Sequence, residues 1–189
     1  MPYKLRGILV HGLGVGLSTG LDTLAAKINA IPDTVHVTVV EEGAFAYELL
    51  GRNEGILEQI VRDGSHLLFG GHSMGADETW KMCVMLETIL RQHSIRIPFA
   101  FAYDQTCWGT NGGLPGQWLI PSIVEHAASW RQPYYPGGGR IMAMPGNVIS
   151  KVEQFERTEP HVGIEATADT HQWILERIHE VLNTLGGKS

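Results

Sequence analysis

The sequence predicts an α/β fold with a mostly parallel central sheet flanked by helices. Short apolar runs alternate with longer amphipathic runs along the 189 residues, and this alternation is typical of a parallel sheet covered by helices on both faces. No internal repeat, low-complexity tract or linker interrupts it. We therefore expect a single domain over residues 1–189, which is long enough to fold on a hydrophobic core without disulfides or a structural metal.

Hydrophobic periodicity predicts the order of the elements. Short apolar runs predict strands at residues 7–11, 35–40, 66–70, 95–103, 121–130 and 139–144. Apolar residues at spacings of three and four predict helices at about residues 21–28, 53–62, 75–92 and 170–185. Within these elements, Pro98 indicates a strand start or a local bulge, and Asp169 is the expected N-cap of the last helix.

Composition disfavours several classes of partner and site. Lys and Arg number 14 against 20 Asp and Glu, a formal net charge of −6, whereas nucleic acid or an anionic membrane would select a basic face. Cys83 and Cys107 are too few for a disulfide framework and lack the spacing of a zinc site. The chain has neither a signal-peptide pattern nor an apolar run of about 18 residues. We expect no metal, no organic cofactor, no membrane span and, by default, a cytoplasmic location.

The most informative motif is Gly71-His72-Ser73-Met74-Gly75, between a predicted strand and a predicted helix. In that context G-x-S-x-G forms a sharp turn that lifts the serine hydroxyl above the sheet. Glycine is needed at both ends because side chains there would crowd the turn. We predict Ser73 as a nucleophile and the Met74 N–H, at the helix start, as an oxyanion donor. The alternative is a glycine-rich turn that contains a serine by chance.

A second glycine-rich turn follows the first predicted strand, at His11-Gly12-Leu13-Gly14. Because the carboxyl ends of parallel strands share one edge of the sheet, this turn can present a backbone N–H to the same oxyanion. Leu13 is the predicted donor. The alternative is a tight turn that only connects the strand to the first helix.

The same turn allows a dinucleotide-binding interpretation. Gly12, Gly14 and Gly16 follow a strand, and Glu41-Glu42 end the next one. However, the third glycine of G-x-G-x-x-G falls at Leu17, and the acidic pair lies beyond the usual spacing of about 20 residues. This interpretation also leaves the Ser73 motif unexplained.

A nucleophilic serine needs a base, and the base needs an orienting acid. In the fold that carries this motif the three follow in the order Ser, Asp or Glu, His. Asp104 directly follows the predicted strand after the Ser73 helix and is the predicted acid, with a strand-end turn residue as the alternative. Glu125, inside a predicted strand, is a weaker candidate. His161, in a loop between Pro160 and Gly163, is the predicted base.

Four other histidines are weaker candidates for the base. His171 is the reserve because it lies near the start of the last predicted helix, whereas His179 lies inside that helix. His126 lies in a predicted strand. His72 is the variable residue of the motif and is expected to pack behind the turn.

Together these residues resemble the α/β-hydrolase superfamily over nearly the whole chain. Their order is similar to that of small, capless bacterial and phage hydrolases: a strand ending in Val-His-Gly, the Ser73 turn, a strand ending at Asp104, and the loop with His161. The resemblance implies a minimal α/β-hydrolase fold without a cap domain, since residues 106–116 leave no room for a helical lid. Many members carry the acid one strand later, and the shorter chain implies that the first strands of the full sheet are missing.

The resemblance and the residues together predict a serine esterase. Its expected substrate is a small-molecule carboxylic ester or thioester, cleaved through an acyl-enzyme on Ser73 without a cofactor. A catalytically silent hydrolase fold used for binding is the alternative from another functional class. The oligomeric state stays open. Five aromatic side chains are candidates for either an acyl pocket or the core: Trp108, Trp118, Trp130, Tyr134 and Tyr135.

Overall fold

The computed structural model describes residues 3–12, 19–32, 34–44, 55–134 and 138–186. The strands in these ranges are β1 (Leu5–Val10), β2 (Val35–Val40), β3 (His66–His72), β4 (Phe99–Tyr103), β5 (Gln117–Ile120), β6 (His126–Arg131), β7 (Arg140–Ala143) and β8 (Lys151–Glu156). The helices are α1 (Gly20–Asn29), α2 (Ile56–Asp63), α3 (Met74–Gln92) and α4 (Ala168–Gly186). A 3₁₀ turn, Ile164–Ala166, precedes α4.

Six strands form one parallel sheet in the order β2-β1-β3-β4-β6-β8. The chain runs from β1 to β2 on one side and then continues with β3 on the other side of β1. This reversal is a topological switch point, and in open α/β sheets ligands bind at such points, beyond the carboxyl ends of the strands. Val10 pairs with Gly71, so the segments that follow these two strands lie side by side.

Helices cover both faces of the sheet. On one face α2 and α3 pack in a core cluster that includes Ile8 and Val10, and on the other face α1 and α4 pack in a cluster that includes Leu5 and Leu9. Neighbouring residues of β1 belong to different clusters because successive side chains of a strand point to opposite faces. The predicted fold class, a mostly parallel sheet flanked by helices, is confirmed.

A small two-stranded parallel sheet of β5 and β7 lies beside the main one. β5 packs against α3, and β7 against β8. The connection between β4 and β5, residues 104–116, is described throughout and contains no helix. A helical lid is therefore absent from the position after β4, as the sequence predicted. None of the helices in the described ranges is long and apolar enough to cross a bilayer.

Three predicted boundaries were wrong. The strand predicted from residue 95 begins at Phe99, because Pro98 interrupts it and Ile97 forms only an isolated bridge. The strand predicted from residue 121 begins at His126, because Pro121 starts a turn. The last helix begins at Ala168, so Asp169 lies in its first turn instead of capping it, and the carboxylate of Asp169 pairs with Arg157.

Two strands were not predicted. β5 is only four residues long, and β8 lies at the edge of the main sheet with partly exposed, alternating charged residues. An edge strand in contact with solvent has no continuous apolar run, which is the signal that identifies the buried strands of a parallel sheet.

Candidate active site

Ser73 occupies the sharp turn between β3 and α3. Its backbone has φ 55° and ψ −123°, a conformation that costs a non-glycine residue about 1–3 kcal/mol. A Cβ on Gly75 would overlap the carbonyl oxygen of Val10, and one on Gly71 would lie 2.5 Å from the carbonyl oxygen of Gly75. Glycine is thus required at both positions because backbone from β1 and α3 fills the space beside the turn.

Ser73, His161 and Asp104 are joined by two hydrogen bonds. The Oγ of Ser73 lies 2.9 Å from Nε2 of His161, and Nδ1 of His161 lies 2.6 Å from Oδ2 of Asp104. The structure therefore brings together the predicted nucleophile, base and acid. With Nδ1–H donated to the carboxylate, Nε2 carries the lone pair that can accept the serine proton.

Asp104 is fully buried at the carboxyl end of β4. Its second oxygen, Oδ1, accepts the backbone N–H groups of Gln132, at 2.7 Å, and Gly138, at 3.3 Å. Its backbone has φ 49°, in the left-handed region that aspartate tolerates better than most residues. Both carboxylate oxygens thus have donors, and the side chain is fixed toward His161.

The loop that carries His161 is tied to the sheet and to α4. The N–H groups of Gly163 and Ile164 both donate to the carbonyl of Pro160. Arg157, which directly follows β8, pairs with Glu159 in the loop and with Asp169 in α4. His161 therefore lies in a folded turn held at both ends.

Met74, the predicted oxyanion donor, lies at the start of α3. Met74 is the first residue of this helix, and the first N–H groups of a helix have no acceptor within it. A Cβ on Gly12 would lie 2.7 Å from the Cβ of Ser73, so the segment after β1 borders the nucleophile. Leu13, the other predicted donor, lies outside the described residues.

A buried carboxylate anchors the segment that follows Asp104. Asp77, in the first turn of α3, accepts the backbone N–H of Thr106 at 2.9 Å and also the hydroxyl of Thr106. Burial raises the pKa of Asp77 to about 6, although its bonds to Thr106 act in the opposite direction. The helix that follows Ser73 and the segment that follows Asp104 are thereby joined.

His72 and Glu165 lie behind His161. Burial and the neighbouring His161 lower the pKa of His72 to about 4. Burial raises the pKa of Glu165, on the 3₁₀ turn, to about 7. The position of His72 behind the turn agrees with the sequence prediction, whereas the sequence offered no signal for Glu165, because its chain neighbours are a loop without periodicity.

The competing carboxylate and histidines lie elsewhere. Glu125 precedes β6, at the opposite edge of the sheet from Ser73, and pairs with Arg96. The other three candidate histidines have separate environments. His126 contacts Glu153, His171 donates from Nε2 to the carbonyl of Glu165, and His179 is exposed on α4.

The candidate aromatic residues divide into two groups. Trp118 and Trp130 are core residues, exposed by 0% and 3%, whereas Trp108 and Tyr134 are exposed by 48% and 71%. Tyr135 lies outside the described residues.

Within the described ranges no group of His, Cys, Asp or Glu side chains has an arrangement that could hold a metal ion.

No protein-family model and no curated protein matches the chain. Among solved structures, it is similar to one of the metagenome-derived lipolytic enzymes LipS and LipT, with a TM-score of 0.53 and 12% identity over 97% of this chain and 95% of that one. It is also similar to BorB, the type II thioesterase of the borrelidin biosynthetic cluster, with a TM-score of 0.44 and 14% identity over 94% of both chains.

The similarity to the lipolytic enzyme shows the fold, which is of the α/β-hydrolase kind. The narrower resemblance to small bacterial and phage hydrolases has no support in these matches and stays a prediction.

Proposed function

We propose that the protein is a serine hydrolase that cleaves small-molecule carboxylic esters or thioesters through an acyl-enzyme on Ser73. The observation that carries the proposal is the continuous hydrogen-bonded chain from the Ser73 hydroxyl through His161 to the buried carboxylate of Asp104. A glycine-rich turn with a purely structural role does not need an imidazole and a buried acid aligned on its serine. The fold shared with a lipolytic enzyme is consistent with this chemistry.

In the proposed first step, Nε2 of His161 takes the Ser73 proton while Oγ attacks the substrate carbonyl carbon. The imidazolium that forms is stabilised by Asp104, which also fixes the tautomer. The Met74 N–H and, in our proposal, the Leu13 N–H donate to the developing oxyanion. His161 then gives its proton to the leaving alcohol or thiol, and the acyl group stays on Ser73.

In the second step, His161 removes a proton from water, and the oxygen attacks the acyl carbon. Collapse of this intermediate breaks the bond to Ser73, returns the proton to Oγ and releases the carboxylic acid. Ser73 and His161 thus have their original protons at the end of the second step, and the proposed reaction uses no cofactor.

The proposal is tested with a fluorophosphonate probe, which reacts only with an activated serine. We expect labelling of the native protein at Ser73, confirmed by peptide mass spectrometry, and hydrolysis of short acyl esters. Ser73→Ala should abolish labelling and lower kcat by about 10⁴–10⁶-fold. A folded protein that the probe does not label would instead support the silent binding fold, and nucleotide-dependent protection against unfolding would support the dinucleotide interpretation.

A further inference from the structure

Directly behind His161 lies a buried pair of ionisable side chains, His72 and Glu165. The side chain of His72 is 7% exposed and that of Glu165 is 0% exposed. His72 immediately precedes Ser73, and Glu165 lies in the 3₁₀ turn that follows the His161 loop. The proposed reaction gives neither of them a chemical step.

His72 contacts the backbone and the ring of His161. Its Nε2 lies 2.8 Å from the carbonyl oxygen of His161, and a carbonyl oxygen only accepts, so Nε2 must carry a hydrogen and donate it. The two imidazole rings lie with their centroids 4.8 Å apart at an interplanar angle of 39°. The residue before the nucleophile therefore restrains the residue that serves as its base.

The other nitrogen of His72 faces Glu165. Nδ1 lies 3.4 Å from Oε2 of Glu165. A neutral Nδ1 and an ionised carboxylate would both be acceptors, so one proton must lie between them. The Gly20 N–H at the start of α1 faces this carboxyl group, but no donor in the described part of the chain reaches hydrogen-bond geometry with either oxygen.

The surroundings favour the proton on Glu165. Burial raises the pKa of Glu165 to about 7, with Asp22 on α1 acting in the same direction. Burial lowers the pKa of His72 to about 4, together with His161 and His11, although Asp104 opposes this. Between these two values, a neutral acid beside a neutral imidazole is the favoured state. On the side of α4, the neighbouring ionisable residue is His171, which bonds to the backbone carbonyl of Glu165 and to Lys27 of α1.

We propose that the Glu165 carboxylic acid donates to Nδ1 of His72, whose Nε2–H donates to the carbonyl of His161, and that this relay positions the base. The inference rests on the proposed function, since it assigns His161 the role of base. His72 and Glu165 are positioning residues: they act through His161 and need not contact the substrate.

The relay predicts a specific pH dependence. As the pH rises through about 7, Glu165 loses its proton, and a buried carboxylate then faces the lone pair of Nδ1. His161 is then no longer held in position, and kcat falls at high pH. Glu165→Gln should remove this fall in kcat, because the amide donates to Nδ1 at every pH. Glu165→Leu cannot donate and should lower kcat at every pH.

Besides the two Glu165 variants, a pair of His72 variants tests the relay, with kcat measured on a chromogenic ester. His72→Phe keeps a ring but removes the donor, and we expect kcat to fall about 10–100-fold with little change in KM, because the base is misplaced while the substrate still binds. His72→Gln, whose amide can donate to the same carbonyl, should recover much of that loss. His126→Phe and Glu125→Gln are the matched controls, both remote from Ser73, and should leave kcat unchanged.

Unfolding provides a readout that does not depend on activity. A raised folded-state pKa at Glu165 gives stability that is complete below pH 4.5 and is lost as the pH rises through about 7. Since Glu165→Gln lacks this titration, its free energy of unfolding minus that of the native protein should rise over this interval. A difference that is independent of pH would overturn the assignment of the proton to Glu165.

Two further results would also overturn the relay. One is a folded His72→Phe protein with native kcat at every pH, and the other is Glu165→Gln with the same loss as Glu165→Leu. Failure of the proposed function gives a different result, because the native protein would not react with the fluorophosphonate probe. In that case imidazole ¹⁵N spectra still test the relay: they should show neutral, Nε2-protonated His72 at pH 6, and an imidazolium there contradicts it.

Discussion

Ser73 keeps its strained backbone because its peptide groups are bonded on both sides. Its N–H donates to the carbonyl of Tyr103 at 2.8 Å, and its own carbonyl accepts from Ala76 and Asp77 at the start of α3. The sheet and the helix therefore hold a conformation that an isolated chain would avoid. The consequence at this scale is a hydroxyl with a fixed direction, 2.9 Å from the imidazole of His161.

Asp104 shows how a single residue depends on several segments. It follows β4, yet the backbone groups that hold its Oδ1 come from Gln132, after β6, and from Gly138. Asp104 is the proposed acid, and it follows β4, whereas His161 follows β8. The end of β6 lies between these two strands in the sheet, and its Gln132 binds the same carboxylate.

Asp104→Asn should leave the fold intact and lower kcat by about 10⁴-fold. The amide can still lie beside His161, but its NH₂ group favours the wrong imidazole tautomer, in which Nε2 bears the hydrogen and cannot accept the serine proton. Steady-state kinetics on an ester that labels Ser73 check this expectation. The control is Glu125→Gln, which should keep its activity, and a folded Asp104→Asn protein with native kcat would contradict the role of Asp104.

At the scale of elements, α3 connects two parts of the site. Its first residues hold Ser73, and in its first turn Asp77 binds both the N–H and the hydroxyl of Thr106. Trp118 of β5 donates from its indole to the Thr106 carbonyl at 3.2 Å. A shift of α3 would thus move Ser73 together with the segment that follows Asp104.

Asp77→Asn should change how stability depends on pH. The pKa of Asp77 is raised to about 6, so the native protein loses stability as the pH rises from the ordinary aspartate value through 6. The oxygen of asparagine can still accept the Thr106 N–H, its NH₂ group can donate to the Thr106 hydroxyl oxygen, and the side chain does not titrate. We expect the free energy of unfolding of the variant, relative to the native protein, to rise by about 1–3 kcal/mol over that interval.

Urea unfolding at several pH values measures the difference, and Glu58→Gln on the exposed face of α2 is the control for the lost charge. A constant difference across the series would mean that Asp77 ionises as readily in the folded chain as in the unfolded one.

At the scale of the whole molecule, the parallel topology brings the residues of the candidate site together. The segments after β1, β3, β4 and β8 all leave the sheet at its carboxyl edge and carry Gly12, Ser73, Asp104 and His161 in that order. The two core clusters on opposite faces fix the sheet between them. Residues 31 to 149 positions apart in the chain therefore meet at this edge of the sheet.

We propose that residues 1–189 fold as one domain, and this predicts cooperative unfolding. The two core clusters share the strands of one sheet, so the loss of one should expose the other. Trp80 and Trp118 belong to one cluster, while Trp130 and Trp173 pack in the other. Tryptophan fluorescence of variants that retain only one of these pairs should give the same urea midpoint of unfolding, equal to the midpoint from circular dichroism. Separate midpoints would indicate two independently folding units.

The sequence could predict the buried strands and the turn of the nucleophile because both leave local signals. Apolar runs identify β1 and β3, β-branched residues identify β2, and the glycines of the Ser73 turn identify its sharp geometry. β8 has no comparable signal, since an exposed edge strand mixes charged and apolar residues. Asp104 and His161 could be chosen from their places in the order of elements, whereas the donors to Asp104 and the pairing of Glu165 with His72 depend on contacts across 28 to 93 residues.

By itself, the sequence determined the layers of the fold and the residue types of the site, because hydrophobic periodicity and backbone sterics act over a few neighbouring residues. Only the tertiary structure decided which acid faces which histidine, how each is held, and that a second buried pair lies behind the base. Those features depend on distances between strands that the parallel sheet brings together, and no local pattern in the chain records such distances.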